Sequence, residues 1–202
     1  TYTDYTPIQV SLSVPLRFPV TTSSIDVLAY WKATDCIDGD ISYKFTLSGS
    51  SSIEVDLAGD YPVVFQITNS VGDTLELPVT VTIYDQTAEN ASPKFSLTDY
   101  LVYVKEGEEI SPISYIESVT VQGTTYEVTS TGSGTYGIDT SDMDSEELQE
   151  FRERDPELSS DYIEIDNPVD YSTPGVYEIT YSMEDEDGDV GSIRLIVIME
   201  EG

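Results

Sequence analysis

The chain has 202 residues, with 39 Asp and Glu against 8 Lys and Arg, no His and one Cys, so its formal net charge is -31. The lack of His excludes Ser-His-Asp and Cys-His catalysis and imidazole metal sites, and a single Cys excludes an internal disulfide. The acidic balance argues against nucleic acid as a partner, because that partner requires basic patches. The sequence has no run of 18 apolar residues, so we expect no membrane insertion within this chain.

Apolar and polar residues alternate with a period of two along much of the chain, which is typical of half-buried strands. This pattern predicts strands over residues 25–32, 63–68 and 77–83. Short alternating runs separated by Gly, Pro, Asn and Asp turns predict an all-β protein built from sandwiches.

The chain repeats itself at a shift of 116 residues, so that residues 59–83 fall on residues 175–199. Gly59 meets Gly175, and Tyr61 meets Tyr177. Both windows predict a closing β-hairpin with a Gly-Asp turn. Upstream, residues 53–56 resemble residues 163–166, with a six-residue insertion between the blocks.

The repeat and the composition together predict two domains, at residues 1–87 and 92–202, joined by a polar linker that ends in Pro93. The second domain is longer because of an insertion at about 131–161. Within it, residues 131–134 predict a flexible lead-in.

Residues 144–154 predict a short helix in this insertion, the only helix expected. Asp144 and Glu147 form a capping box, and Leu148 and Phe151 share the face that packs on the sandwich. Glu150 and Arg154 are spaced as an ion pair. Residues 139–157 contain nine acids, which predicts a solvated segment, with docking of a basic partner or loose binding of divalent ions as the alternative.

One segment resembles a known family. Residues 33–42 read Ala-Thr-Asp-Cys-Ile-Asp-Gly-Asp-Ile-Ser, and Gly59-Asp60-Tyr61, an alternating strand, the turn Val71-Gly72-Asp73 and a closing strand follow. Together they resemble the bacterial immunoglobulin-like surface modules related to hyalin-type repeats. The second copy keeps residues 175–177 and 185–189 of this pattern but lacks the element at 33–42.

The resemblance implies an all-β chain of two tandem immunoglobulin-like β-sandwiches, the second with a short acidic helical insertion. It also implies a non-catalytic structural or adhesive module of a bacterial cell-surface or secreted protein, extracellular and acting as a spacer or interaction domain. We expect a monomer whose partners are the other domains of a larger surface protein. The alternative is a module that binds carbohydrate or a host or matrix protein through exposed Tyr or the acidic insertion, stabilised by calcium.

Two acidic turns have a structural and a chemical interpretation. Asp38 and Asp40, with Asp35 close by, and the series Asp185, Asp187 and Asp189 predict Asp-Gly turns, with a calcium site as the alternative. We therefore expect no catalytic, cofactor-binding or metal residues and no cofactor, calcium apart. Tyr61 and Tyr177 are expected to close corners of the sandwiches by hydrogen bonding to nearby backbone.

Other candidates are expected to be structural. Trp31 is expected in the core and Tyr30 on the surface. Tyr30, Tyr43, Tyr100 and Tyr103 are candidates for stacking on a sugar. Cys36 is expected to be half-buried in a turn. A glycosidase carboxylate pair would need a cleft that small sandwiches do not offer. A Lys–Asn isopeptide bond would need an Asn inside a closing strand, and the sequence places none there.

Overall fold

The computed structural model of the protein describes residues 5–48, 53–132, 134–154, 163–185 and 187–202. The chain divides into two compact units, Thr1–Asp85 and Gln86–Gly202, here called the first and second unit. Each unit contains one three-stranded and one four-stranded sheet, so the fold is all-β and sandwich-like, as predicted.

The first unit contains seven of the described strands. Their bounds are β1 Gln9–Leu12, β2 Arg17–Pro19, β3 Trp31–Asp35, β4 Gly39–Asp40, β5 Thr46–Ser48, β6 Gly59–Thr68 and β7 Thr74–Tyr84. The strand order is β1-β3-β4 in one sheet and β2-β7-β6-β5 in the other.

The second unit contains nine described strands and two α-helices. Their bounds are α1 Gln86–Ala91, β8 Lys94–Leu97, β9 Leu101–Lys105, β10 Ile116–Val121, β11 Thr124–Tyr126, β12 Val128–Gly132, β13 Thr135–Ile138, α2 Ser145–Arg154, β14 Glu164–Asp166, β15 Gly175–Glu184 and β16 Val190–Glu200. Its sheets have the orders β8-β10-β11 and β9-β16-β15-β14, and β12 and β13 form a separate hairpin.

The predicted closing hairpins are present in both units. β6 and β7 pair from Gly59 opposite Ile83 to Thr68 opposite Thr74, and β15 and β16 pair from Gly175 opposite Met199 to Glu184 opposite Val190. All four strand bounds of the first hairpin coincide with those of the second when 116 is added. The strand predictions for residues 63–68 and 77–83 are therefore confirmed.

Aromatic residues fill the core of the first unit. The ring of Trp31, which is 1% exposed, lies 5.0 Å from that of Phe65 and 5.6 Å from that of Phe45. In the second unit Ile179, Tyr181 and Leu195 are fully buried. Because each buried large apolar side chain contributes about 1.5–3 kcal/mol, these alternating positions hold the two sheets of each unit together.

Several expectations about local structure are wrong. Residues 25–30 are not a strand: residues 27–30 form a turn, in which Asp26 accepts the amide of Leu28 through its side chain and that of Ala29 through its carbonyl. Of the alternating apolar residues in this segment, only Val27 and Trp31 are buried. The resemblance of residues 53–56 to residues 163–166 does not extend to their structure, because β5, at residues 46–48, takes the place in the first unit that β14 has in the second.

The insertion also contains more regular structure than expected. Residues 131 and 132 end strand β12, and Gly134 lies in the turn before β13, where a flexible lead-in was predicted. The helix in the insertion is not the only one, because the polar residues 86–91, predicted as linker, form α1.

Candidate functional site

The acidic turn of the first unit is a hydrogen-bonded network, here called the turn network. Asp35, at the end of β3, is 5% exposed and its Oδ1 accepts the amides of Ile37 and Asp38 at 2.9 and 3.0 Å. Asp40 accepts the amide of Ser42 at 2.9 Å and its hydroxyl at 2.6 Å. The hydroxyl oxygen of Ser42 in turn accepts a hydrogen bond from the backbone amide of Ala33 at 2.9 Å. The spacing of the motif therefore serves to close the β3–β4 turn.

The same network reaches a second turn 34 residues further along the chain. The Asn69 side-chain amide donates to Oδ2 of Asp35 at 3.1 Å. The amide of Ser70 donates to Oδ2 of Asp38 at 2.6 Å, and the Ser70 hydroxyl donates to Oδ1 of Asp38. Nζ of Lys44 lies 3.2 Å from Oδ2 of Asp38. The β3–β4 turn and the β6–β7 turn, which belong to different sheets, are thus fastened together.

These bonds favour the ionised carboxylates. The Asn69 amide lowers the pKa of Asp35, and the backbone amide of Asp38 adds to this effect. The hydroxyl of Ser70 lowers the pKa of Asp38, and that of Ser42 lowers the pKa of Asp40. The network is therefore in its bonded form at neutral pH.

The corresponding turn of the second unit uses an Asp where the first uses an Asn. Oδ1 of Asp185, a residue that is 2% exposed, accepts the amides of Asp187 and Asp189 at 3.0 and 2.9 Å. Oδ1 of Asn69 accepts the amides of Val71 and Asp73 at 3.1 and 2.9 Å in the same way. The shared geometry depends on a side-chain oxygen, which the neutral amide of Asn69 supplies in one unit and the carboxylate of Asp185 in the other.

Both acidic segments form the predicted turns. The carboxylates of Asp35, Asp38, Asp40 and Asp185 are already engaged by protein donors. Within the described part of the chain, no group of three or more Asp, Glu or Cys side chains is arranged to hold a metal ion.

The two predicted corner tyrosines make the same bond. The Tyr61 hydroxyl donates to the carbonyl of Leu57 at 2.8 Å, and the Tyr177 hydroxyl donates to that of Thr173 at 3.0 Å. Each ring lies over the Gly two residues before it, 3.7 Å from a Cβ built on Gly59 and 3.6 Å from one built on Gly175. The Gly-x-Tyr motif is therefore a structural corner, as predicted.

The helix of the insertion is capped and anchored as the sequence predicts. Oδ1 of Asp144 accepts the amides of Glu146 and Glu147, and Oε2 of Glu147 accepts the amide of Asp144 at 3.0 Å. Phe151 is 2% exposed, and its ring lies 5.5 Å from that of Tyr126 at the end of β11. The side chain of Arg154, the expected partner of Glu150, lies outside the described residues.

A groove of about 440 Å³ runs between α2 and β11. Tyr126, Met143 and Phe151 contribute its apolar lining, and its carboxylates are Glu127, Asp139, Asp142, Glu147 and Glu150. The backbone amide of Ser141 lowers the pKa of Asp139. Sequence reasoning identified the acidic segment but not this groove, because β11 lies outside the insertion.

The remaining aromatic candidates are Tyr30 and Tyr43 in the first unit and Tyr100 and Tyr103, both half-buried, in the second. Tyr30 is 37% exposed and packs against Phe18, whereas Tyr43 is 80% exposed on a 3-10 turn. In the ring contacts between described residues, no two exposed tyrosines form a common platform. Cys36 lies in the β3–β4 turn as predicted, but it is exposed rather than half-buried.

The asparagines give no support for an isopeptide bond. Asn69 bonds to Asp35, Asn90 accepts from Gln86, and Asn167 donates to Tyr171. Among the residues that the structure describes, no hydrogen bond joins an Asn side chain to a Lys.

Two sequence comparisons give matches. Residues 146–197 match the family described as "Bacterial surface protein, Ig-like domain", a range that begins in α2 and ends in β16. The chain is 24% identical over 201 residues to a protein of Acholeplasma phage L2 that bears the name "Uncharacterized 81.3 kDa protein". That match covers 100% of this chain and 22% of the phage protein, so the chain spans about a fifth of its relative.

Solved structures similar to this chain include the lipoprotein BT2262 of Bacteroides thetaiotaomicron, at 13% identity and a TM-score of 0.31, covering 94% of this chain and 98% of that one. A Clostridium perfringens ZmpB structure of CBM51-2 with GlcNAc and INT domains has 14% identity and a TM-score of 0.34, covering 96% and 42%. The fibronectin(III)-like modules of Clostridium thermocellum CbhA have 15% identity and a TM-score of 0.27, covering 96% and 95%. In the described residues, no helix is long and apolar enough to cross a membrane.

Proposed function

We propose that the chain is a non-catalytic structural module of a larger cell-surface or secreted protein, because residues 146–197 match the family described as "Bacterial surface protein, Ig-like domain". Its two units would be tandem copies of one fold that space or present other domains outside the cell. The observation that carries this proposal is the shared construction of the units. Both have the same order in their four-stranded sheets, and their closing hairpins have the same bounds at a shift of 116 residues.

The polar clusters of the described residues support a structural role. Asp35, Asp38, Asp185, Tyr61 and Tyr177 all donate to or accept from turn backbone or neighbouring turns. Groups used in this way stabilise loops and leave little chemistry for a substrate.

Exposure of Cys36 gives a direct test of the extracellular location. Cells that produce the full-length protein are treated with a membrane-impermeant maleimide, and the Cys36→Ser variant shows which label belongs to this residue. We expect labelling of Cys36 on intact cells. Labelling only after lysis would contradict the proposal. Because the relative belongs to a phage, intact particles are the second sample. Labelling on particles but not on cells would place the module on a viral surface.

A second candidate function is protein binding at the groove between α2 and β11. Its support is that an ordered helix, fixed by Phe151, borders a groove with partly apolar walls and five carboxylates. The side-chain carboxylates of Glu127, Asp142 and Glu150 make no hydrogen bond or ion pair with other described residues. A Lys-rich peptide with one aromatic residue would complement this lining.

The test for this second candidate is titration of such a peptide into the protein, beside a variant carrying Glu127→Gln, Asp142→Asn and Glu150→Gln. We expect binding that weakens as salt rises and that the triple variant loses. Equal binding by the variant would refute a role for the groove.

A further inference from the structure

The four-stranded sheets share a feature that the turns and the groove do not explain. In each unit an early strand lies parallel to the last strand: β2 beside β7 in the first unit and β9 beside β16 in the second. Most neighbouring strands among the described residues are antiparallel. Within a parallel pair the start of the early strand and the end of the last strand lie at opposite ends of the shared ladder.

This arrangement determines how each unit responds to tension on its two chain ends. The early strand is pulled one way along its axis and the last strand the other way. All hydrogen bonds between them are then loaded at once, in shear. In an antiparallel hairpin pulled at its two ends, the bonds would instead open one after another.

We propose that these parallel pairs are force-bearing clamps, and that the clamp of the second unit is stronger than that of the first. The first clamp aligns three residues, Arg17–Pro19, with β7, and the second aligns five, Leu101–Lys105, with β16. If bonds loaded together share the force, the second unit, with the longer clamp, unfolds at the higher force. The first unit therefore opens before the second and acts as the weaker link of the pair.

Hydrogen bonds beyond the aligned residues extend both clamps by one residue at each end. The amide of Thr82 donates to the Leu16 carbonyl, and that of Val20 donates to the Tyr84 carbonyl, both at 2.9 Å. In the second unit the amide of Ile196 donates to the Tyr100 carbonyl at 3.0 Å, and that of Glu106 donates to the Glu200 carbonyl at 2.9 Å. The difference in length between the two clamps is therefore preserved.

These end bonds also indicate which amides carry load. Bonding residues alternate along a strand. Tyr100 and Glu106 are bonded, so Val102 and Val104 direct their backbone groups to β16, whereas Lys105 directs its amide away. Pro19 in the first unit pairs with Tyr84, and Lys105 in the second pairs with Glu200. Because Tyr84 and Glu200 are equivalent at the shift of 116 residues, Pro19 and Lys105 occupy the same position in their clamps. A Pro at that position has no amide to donate, which fits an outward-facing site.

Single-molecule force spectroscopy of the whole chain between handles at its two ends tests the proposal. At about 0.36 nm per extended residue, the 85 residues of the first unit give a step of at most about 30 nm, and the 117 of the second at most about 42 nm. We expect the short step first and the long step at higher force. A long step that comes first, or equal forces for the two steps, would overturn the proposal.

Two proline variants locate the load within β9. Val102→Pro removes an amide directed to β16, whereas Lys105→Pro removes one directed away and reproduces what Pro19 provides in the first unit. We expect Val102→Pro to bring the force of the long step down to or below that of the short step, and Lys105→Pro to leave it unchanged. Equal losses in both variants would show that the ladder does not bear the load.

Far-ultraviolet circular dichroism establishes that both variants are folded before they are pulled. If Val102→Pro does not fold, the order of the two steps in the unaltered chain decides. The inference rests on the proposed spacer function, but the measurement needs only the chain. Ordered steps without surface labelling of Cys36 would refute the location and leave the clamps standing.

Discussion

Gly191 lies in β16 where the backbone of Pro93 passes close by. A Cβ built on Gly191 would lie 1.7 Å from the Pro93 carbonyl oxygen and 2.6 Å from its carbonyl carbon. Ordinary contact begins at about 3.4 Å. Gly191→Ala would therefore require the two backbones to separate by roughly 1.7 Å. Position 191 thus accepts only a residue without a Cβ.

The backbone around Pro93 is held on both sides, so this separation is costly. Before it, the Ser92 amide and hydroxyl both donate to the Ala88 carbonyl in α1, at 3.0 and 2.7 Å. After it, Lys94 pairs with Thr120 in β10. Overpacking typically costs about 1–3 kcal/mol, and rigid backbone on both sides places Gly191→Ala at about 3 kcal/mol or more.

Differential scanning calorimetry measures this effect. For a unit of 117 residues, about 3 kcal/mol corresponds to a fall of about 10 °C in Tm. The control is Gly59→Ala, since a Cβ built there lies 3.7 Å from the Tyr61 ring, and we expect a change within about 1 kcal/mol. The register equivalent of Gly191 in the first unit is Leu75, so the hairpin itself accepts a side chain there. A fall below about 3 °C, or equal falls in both variants, would refute the role of Pro93.

Further changes test the turns and the helix. Phe151→Ala should lower the unfolding free energy of the second unit by about 3–5 kcal/mol, measured by denaturant titration, while the exposed Gln149→Ala should leave it unchanged. Asp185→Asn should change stability by no more than about 1 kcal/mol, because Asn69 fills the same role, and a larger loss would show that the turn needs a charge. Asn69→Asp should destabilise the first unit at pH 7, because it sets a second carboxylate against Asp35, and should recover near pH 4 in melts at both pH values. Since the pKa values of Asp35, Asp38 and Asp40 are lowered, their contribution is complete above the unfolded value of about 4 and is lost as pH falls through the folded values. Acid unfolding that Asp38→Asn leaves unshifted would contradict this. Millimolar Ca²⁺ should not raise Tm beyond the effect of NaCl at equal ionic strength, and a specific rise of several degrees would restore the calcium alternative.

Local patterns predicted what depends on neighbours in sequence. The alternation of Val63, Phe65 and Ile67, the capping box of Asp144 and the bonds of Tyr61 and Tyr177 all involve residues within a few positions of one another. In these cases spacing alone fixes which side chain faces the core or reaches which amide.

Features that depend on residues far apart in the chain could not be predicted from the spacing of neighbouring residues. The bond between Asp35 and Asn69 spans 34 residues, and the approach of Pro93 to Gly191 spans 98. The same holds for the groove, which α2 forms with β11. Residues 25–30 show the opposite failure, because a turn around Asp26 produced an alternation that resembles a strand.

The place of the insertion has a consequence for protein engineering. β4 and β5 of the first unit are joined by five residues, 41–45, whereas β11 and β14 of the second are joined by thirty-seven, 127–163. The same sheet order is thus reached with either connection. Because long surface connections cost little extra closure entropy, this junction is a natural graft site. A foreign peptide or small domain inserted beside Tyr43, which is 80% exposed, would leave the buried side chains of Ile41 and Phe45 in the core on either side of it.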